Sequence, residues 1–344
     1  MRVLQAMAGA EHGGAEAFFV RLALALHRAG LEQKVVIRAD ERRAAELAAG
    51  GIVPVQVPFG GRLDFITPWK LRRVVRDFKP GVALTWMNRA TRMLPEKSPE
   101  KPFVHVGRLG GYYDLKYYRR CDHLIGNTED IVDYMVKQGW PSERAHYLPN
   151  FVSETRATPT RRAEMFTPPD APLILAMGRL HENKGFDVLL EALVRLPDAY
   201  LWIAGEGPLR AELEAKAQGL FVKPRVRFLG WRNDVAALFA ACDLFVCPSR
   251  HEPLGNVVIE AWAQGVPIVA ADSTGPAALI RHGETGLLVP VNDARALTRA
   301  IQNVLADRAL AQRIAAAGRA AFAARFTEAI VVERYLEFFA KVGG

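Results

Sequence analysis

The sequence predicts an α/β protein made of two doubly wound, parallel-sheet domains. Three observations carry that prediction. Short apolar runs alternate with amphipathic stretches of helical period along nearly the whole chain, the pattern of parallel strands joined by crossover helices. The length of 344 residues, half of them hydrophobic, suits two buried cores better than one. Only the stretch from Asn150 to Asp170, with its several Thr, Pro and Arg residues, has the composition of a linker. The expected division is therefore residues 1–155, residues 156–325, and a last helix, 326–344, crossing back onto the first domain.

The totals exclude several classes. Gly and Pro are scattered, and no fixed-period repeat or low-complexity segment occurs. The apolar start RVLQAM is too short for a signal sequence and no apolar run is long enough to cross a bilayer, so a soluble, cytoplasmic protein is expected. Three cysteines, an odd number, read as reduced thiols, and Cys242 with Cys247 lacks a second metal-spaced pair, so no metal site is expected. The net charge of +8 comes from cations interspersed with acids, so no nucleic-acid partner is expected.

In the first half, Arg2–Met7 reads as a buried strand. The loop AGAEHGG follows, then a helix from Ala15 to Arg28. Gly13 and Gly14 stand at that helix entrance, where exposed N–H groups suit a phosphate or a sugar. The dinucleotide fingerprint G-x-G-x-x-G is absent, which disfavours a nicotinamide oxidoreductase. Strands at 34–38, 53–57 and 82–86 then alternate with helices at 41–49 and 69–78. The helix PWKLRRVVRDFK has two readings. It rests on an anionic membrane surface, or it is a crossover helix with Leu71, Val74, Val75 and Phe78 on the sheet and its arginines in water; the second is preferred. The tract GGYYDLKYYRR, residues 110–120, either lines an acceptor groove, aromatic faces packing on sugar rings, or is a surface loop. Strands at 122–125 and 145–148 flank a helix at 129–138.

In the second half, the strand Leu173–Met177 runs into GRLHENKG. Arg179 and Lys184 lie there just before a helix that begins near Gly185. Two cations at a helix start oppose the macrodipole unless an anion is shared between them, and a diphosphate is the natural anion. The simpler reading is that they reach solvent or pair with Glu182 and Asp187. Further strands are expected at 200–204, 226–229, 266–270 and 287–289. The turns GEGP, beginning at Gly205, and GWRND, holding Trp231 and Arg232, follow two of them. Residues 294–342 read as two or three helices, the last from Glu328 to Phe339.

The stretch PSRHEPLGNVVIE, residues 248–260, reads as strand, loop and helix with carboxylates at Glu252 and Glu260. Between them, Asn256 is the expected helix N-cap and Gly255 allows close backbone approach, while Leu254 completes the turn. Acids on either side of an anion-binding turn suit a ligand with hydroxyls at both ends and phosphate between, as in a nucleotide sugar. The plainer reading is a loop acid and a Glu favoured by the helix N-terminus.

In order, GRLHENKG, GEGP, FLGWRNDV, PSRHEPLGNVVIEAWAQGVPIVA and GETGLLV resemble the C-terminal half of retaining glycosyltransferases of the GT-B fold, family 4. GGAE at 13–16 resembles the family's glycine loop and LPN at 148–150 the end of its first domain, although Phe151 stands where a glycine is usual. The resemblance implies two Rossmann-like domains facing across a donor cleft. Arg179 and Lys184 would hold the diphosphate and Glu260 the ribose. Glu252 would meet the sugar hydroxyls, and the backbone of Leu254, Gly255 and Asn256 the sugar and phosphate. Gly205, Trp231 and Arg232 would border the nucleotide, and Gly13 with Gly14 would close over the phosphate. Where the family carries a His near the sugar, PFVHVGRLGG aligns Gly107 or Arg108. His105 and Arg108 are both candidates, with an inward strand position the alternative for His105.

The implied activity is metal-independent, retaining transfer from a nucleotide diphosphate sugar, UDP by family frequency, with no cofactor beyond that co-substrate. The implied acceptor is a glycan or lipid-linked glycan such as lipopolysaccharide core, with peripheral contact at the cytoplasmic face of the inner membrane. No D-x-D occurs in the chain, in keeping with metal independence. A nucleotide-sugar 2-epimerase on the same fold is the competing enzyme, distinguished by isomer formation without acceptor. A non-catalytic sugar-nucleotide binder is the other competitor, distinguished by donor binding without turnover.

Overall fold

Parallel pairing throughout builds two separate sheets in the computed structural model, which describes residues 1–11, 13–61, 63–96 and 103–343. The chain divides into two units, Met1–Phe151 with Glu328–Gly344, and Val152–Thr327.

The first unit runs β1 (Arg2–Met7), α1 (Gly14–Arg28), β2 (Glu32–Arg38), α2 (Glu41–Ala49), β3 (Val55–Val57), α3 (Ile66–Phe78), β4 (Val82–Trp86), α4 (Met87–Met93), β5 (Val104–Leu109), β6 (His123–Gly126), α5 (Glu129–Lys137) and β7 (Ala145–Tyr147). Its seven strands lie in the order β3-β2-β1-β4-β5-β6-β7. Strand side chains alternate between faces, so Val3 and Met7 join the core under α1, whereas Leu4 and Ala6 join the one under α3, with its Leu71 and Val75. The last helix, α13 (Glu328–Gly343), belongs to this unit, burying Val331, Tyr335 and Phe339 in the core under α1.

The second unit runs β8 (Leu173–Met177), α6 (Phe186–Leu193), β9 (Tyr200–Ala204), α7 (Arg210–Gly219), β10 (Val226–Gly230), α8 (Val235–Ala241), β11 (Leu244–Cys247), α9 (Asn256–Gln264), β12 (Ile268–Ala271), α10 (Thr274–Leu279), β13 (Leu287–Val289), α11 (Ala294–Ala306) and α12 (Arg308–Arg325). Its strand order is β10-β9-β8-β11-β12-β13. The order therefore reverses between β8 and β11, the position at the C-terminal ends of the strands where open parallel sheets place their ligand loops.

Four sequence expectations change. Helix α4 was not foreseen: MNRATRM has no apolar period, and it begins at Met87 with φ 65°. The linker-like segment is bound to the second unit. Arg162 donates to Ala241 O, Pro169 O and Ala171 O and pairs with Asp243, and the Trp202 indole donates to Thr167 Oγ1 at 2.9 Å. Asn256 is not the N-cap of α9; Gly255 is, at φ 63°, and Asn256 is the first helical residue. Glu260 consequently stands in the middle of α9, which has no acid in its first turn, so the dipole does not account for it.

Candidate active site

The loop after β8 and the loop after β11 meet at the strand-order reversal. Gly185, the N-cap of α6, has φ 62°, and a Cβ there would lie 2.2 Å from Pro248 O, so only glycine lets the two loops touch. The His251 N–H donates to Asn183 O at 3.1 Å, and Arg250 Nη1 to Glu182 O at 2.7 Å. Arg250 also grips Asp187 through two nitrogens, at 2.8 and 2.6 Å, which holds the Asp187 carboxyl below the usual carboxylate range despite its partial burial.

That junction brings Lys184 onto Glu252: Nζ is ion-paired with Oε2 across 68 positions of sequence. Glu252 is only 8% exposed, and Lys184 is the cation paired with it. The neighbours Glu182 and Asp187, the simpler partners weighed from sequence, do not take Lys184; Asp187 is engaged by Arg250. Arg179, in the same loop, is exposed and has no hydrogen bond or ion pair among the described residues. The arrangement is thus a satisfied, nearly buried Lys–Glu pair beside an unengaged guanidinium.

A second glycine fixes the opposite wall. Gly255 has φ 63°, with Leu279 and Gly275 against it, and the Gly275 N–H donates to Glu252 O at 2.7 Å. Leu254 and Asn256 are half-buried on either side, as is Glu260 one helical turn on. Ser273, 5% exposed at the end of β12, has a hydroxyl without a partner among the described residues. The buried hydroxyl beside the Glu252 loop is a polar position that the sequence did not single out, because a lone Ser before a turn carries no signal. Burial pushes the nearby Cys247 thiol up to about 11, so it is protonated at neutral pH.

The loops after β9 and β10 lie farther out. Gly205 packs its backbone on Gly178 O, and its N–H donates to Gly230 O at 2.8 Å. Trp231 is 66% exposed, its indole donating to Asn233 Oδ1 at 3.1 Å, and Arg232 Nε donates to Asp234 Oδ1 at 2.7 Å.

In the first unit, Gly13 caps α1 and Gly14 opens it. Glu16, in the first turn and 6% exposed, fills this loop, its Oε1 accepting from Ala10 N at 2.8 Å. A Cβ at Gly13 would lie 2.2 Å from Glu16 Oε2, so this glycine makes room for the acid. His105 is an inward β5 residue, 4% exposed, with Nε2 2.9 Å from Thr85 Oγ1. Arg108, 3% exposed, is boxed by Trp86 and Phe18, with its centre 4.3 and 4.8 Å from their rings. It donates to Tyr335 Oη at 2.9 Å and to Asn150 Oδ1 at 2.6 Å, tying α13 and the end of the first unit to β5. In GGYYDLKYYRR, Tyr118 is fully buried while Tyr112 stays 40% exposed.

Two Rossmann-like parallel sheets in one chain give the GT-B fold, shared with solved glycosyltransferases. The chain belongs to glycosyltransferase family 4. The family model described as "Glycosyltransferase Family 4" matches residues 12–156, and "Glycosyl transferases group 1" matches residues 158–321. Lipopolysaccharide core biosynthesis glycosyltransferase LpsE of Rhizobium meliloti (strain 1021) is 38% identical over 95% of this chain and 96% of its own. LpsD of the same strain is 36% identical over 98% of each. Anabaena Alr3699/HepE, solved in complex with UDP, has a TM-score of 0.87 at 22% identity, covering 99% of this chain and 100% of that one.

Proposed function

We propose that this glycosyltransferase is retaining and metal-independent, and moves a hexosyl group from a UDP-sugar to a lipopolysaccharide core or related polysaccharide or lipid-linked acceptor at the cytoplasmic membrane face. The observation that carries the reading is the Lys184–Glu252 pair beside the unengaged Arg179. Support for the acceptor comes from the names of LpsE and LpsD, and for the nucleotide from the UDP and UDP-glucose complexes of HepE.

When the bond between anomeric carbon and phosphate oxygen breaks, its electron pair leaves with the diphosphate. Positive charge develops on the sugar. Arg179 and Lys184 neutralise the departing charge, assisted by the start of α6. A bound diphosphate competes with Glu252 for Lys184 and frees the carboxylate to accept from sugar hydroxyls. Glu260 accepts from the ribose, while the backbone of Leu254, Gly255 and Asn256 faces the sugar and phosphate. Gly205, Trp231 and Arg232 border the nucleotide. The acceptor oxygen forms the new glycosidic bond on the same face of the sugar, directly or through a covalent intermediate; in the direct route its proton passes to the departing phosphate oxygen. Glu252 is assigned to hydroxyl binding, not to nucleophilic attack. His105 and Arg108 have roles inside the first unit and are given no direct contact.

The decisive experiment is transfer from UDP-sugars by purified Lys184→Ala and Arg179→Ala. Near-normal turnover by either variant would remove the diphosphate assignment. Activity should also survive a chelator; loss on chelation that magnesium restores would overturn the metal-free reading.

A further inference from the structure

Four large apolar side chains stand in water within seven consecutive residues at the start of α3: Leu63 is 85% exposed, Phe65 76%, Ile66 54% and Trp69 58%. The other exposed large hydrophobics are spread along the sequence, as scattered surface positions are in any soluble domain. A run of two aliphatic residues, a Phe and a Trp, all more than half exposed, is different, because each forgoes the stabilisation that burial would give.

The turn that presents them is braced rather than loose. Asp64 accepts from the Gly60 N–H at 2.7 Å, the Thr67 N–H at 2.9 Å and the Thr67 hydroxyl at 2.5 Å. The Thr67 hydroxyl oxygen accepts in turn from Phe59 N–H at 2.9 Å, and Arg89 donates to Phe59 O at 2.8 Å. Behind the turn, Leu71 and Val75 pin α3 to the sheet. The apolar tips therefore project from a rigid base.

Charge surrounds the tips. Lys70, Arg72, Arg73 and Arg76 follow on the same helix, and Asp77, its only acid, is already bonded to Arg76 at 2.8 Å and paired with Arg73 at 3.5 Å. Alongside runs a groove of about 470 Å³ whose apolar lining includes Trp69, Val55, Val74 and Phe78, with Lys34 and Lys70 among its cations. Protruding apolar side chains ringed by cations match a bilayer surface, in which the tips sink to the acyl boundary and the cations meet anionic headgroups.

We propose that the turn Leu63–Trp69 and the basic face of α3 form a membrane-docking surface for anionic bilayers. The proposal rests on the peripheral membrane contact in the function proposed above and assigns that contact to named residues. It is tested without any sugar donor, so it can fail while transfer stands, and the reverse.

The test is co-sedimentation of the full chain with vesicles of phosphatidylcholine alone or mixed with phosphatidylglycerol, with tryptophan fluorescence read in parallel. The wild type is expected to pellet with the mixed vesicles, less so at high salt, with a blue shift that Trp69→Phe reduces. The variant Leu63→Ser/Phe65→Ser/Trp69→Ser should bind at least about tenfold more weakly. Arg72→Gln/Arg73→Gln/Arg76→Gln should lose on the order of a hundredfold, because each cation near the surface is worth roughly fivefold. All substituted positions are exposed, so unchanged melting temperatures are expected. Wild type remaining in the supernatant with mixed vesicles, or the serine variant pelleting undiminished, would overturn the proposal. So would a dimer in sedimentation velocity that the serine variant dissociates, since the face would then belong to a second copy.

Discussion

Lys184 and Arg179 occupy one loop yet differ in what their removal should do. Arg179 has no partner among the described residues to strand, so Arg179→Ala is expected to leave the melting temperature unchanged and to cut transfer about 100-fold or more. Lys184→Ala should lose activity similarly but also leave Glu252 nearly buried without its counter-charge, destabilising by about 1–3 kcal/mol. Adding Glu252→Gln should recover much of that stability and none of the activity; recovery of activity would mean that Lys184 serves only to hold Glu252. The residue types were legible in sequence, since cations beside a helix start and acids around a glycine turn are local patterns. Their pairing was not, because the partners are 68 positions apart and meet only through the strand order. Glu16 was missed for the opposite reason: an acid in a first helical turn looks like an ordinary dipole partner, and only its burial shows it filling the glycine loop.

At the scale of elements, the contact between the loops after β8 and β11 depends on Gly185. Gly185→Ala combines a left-handed backbone with a Cβ 2.2 Å from Pro248 O. It is expected to destabilise by roughly 1–3 kcal/mol and to reduce transfer by separating Lys184 from Glu252. Circular dichroism melts and turnover measure the two effects, and a variant with wild-type values for both would remove the contact from the account. Strands such as Arg2–Met7 and Leu173–Met177 were legible to the residue because a buried parallel strand is a continuous apolar run between breakers. Element ends were less so. Asn256 is a favoured cap by type, but the left-handed Gly255 takes the position. The Asn150–Asp170 composition reads as a linker because its stability lies in arginine-to-carbonyl bonds, which leave no periodic trace.

At the scale of the whole molecule, α13 lies across the face of the first sheet, and its Phe338 reaches the strands β6 and β7 at the sheet's edge. There His123 Nδ1 and His146 Nε2 are 3.0 Å apart, and Phe338 lies 4.8 Å from the His146 ring. Burial lowers the His146 pKa to about 4 from 6.5, with His123 and Lys341 adding to the shift, and burial lowers His123 as well. A histidine whose folded pKa is depressed binds its proton more readily unfolded. Its stability is therefore complete above pH 6.5 and is lost as pH falls toward 4. The melting temperature should drop between neutral pH and about pH 5. His146→Leu should flatten that drop, and an unchanged pH profile would count against the pair. In the other unit, UDP should raise the melting temperature with concentration if the donor reading is right.

The first unit is assembled from two pieces of chain with the entire second unit between them. Its Arg108 waits for Tyr335, and its core for Val331 and Phe339. During synthesis the second unit can close as soon as it leaves the ribosome, whereas the first, although made earlier, stays open until its final helix emerges. At ordinary translation speeds that interval is on the order of ten seconds. A chain truncated after Thr327 and released from the ribosome should accordingly hold a protease-resistant second unit and a sensitive first one, the reverse of the order in which they were translated.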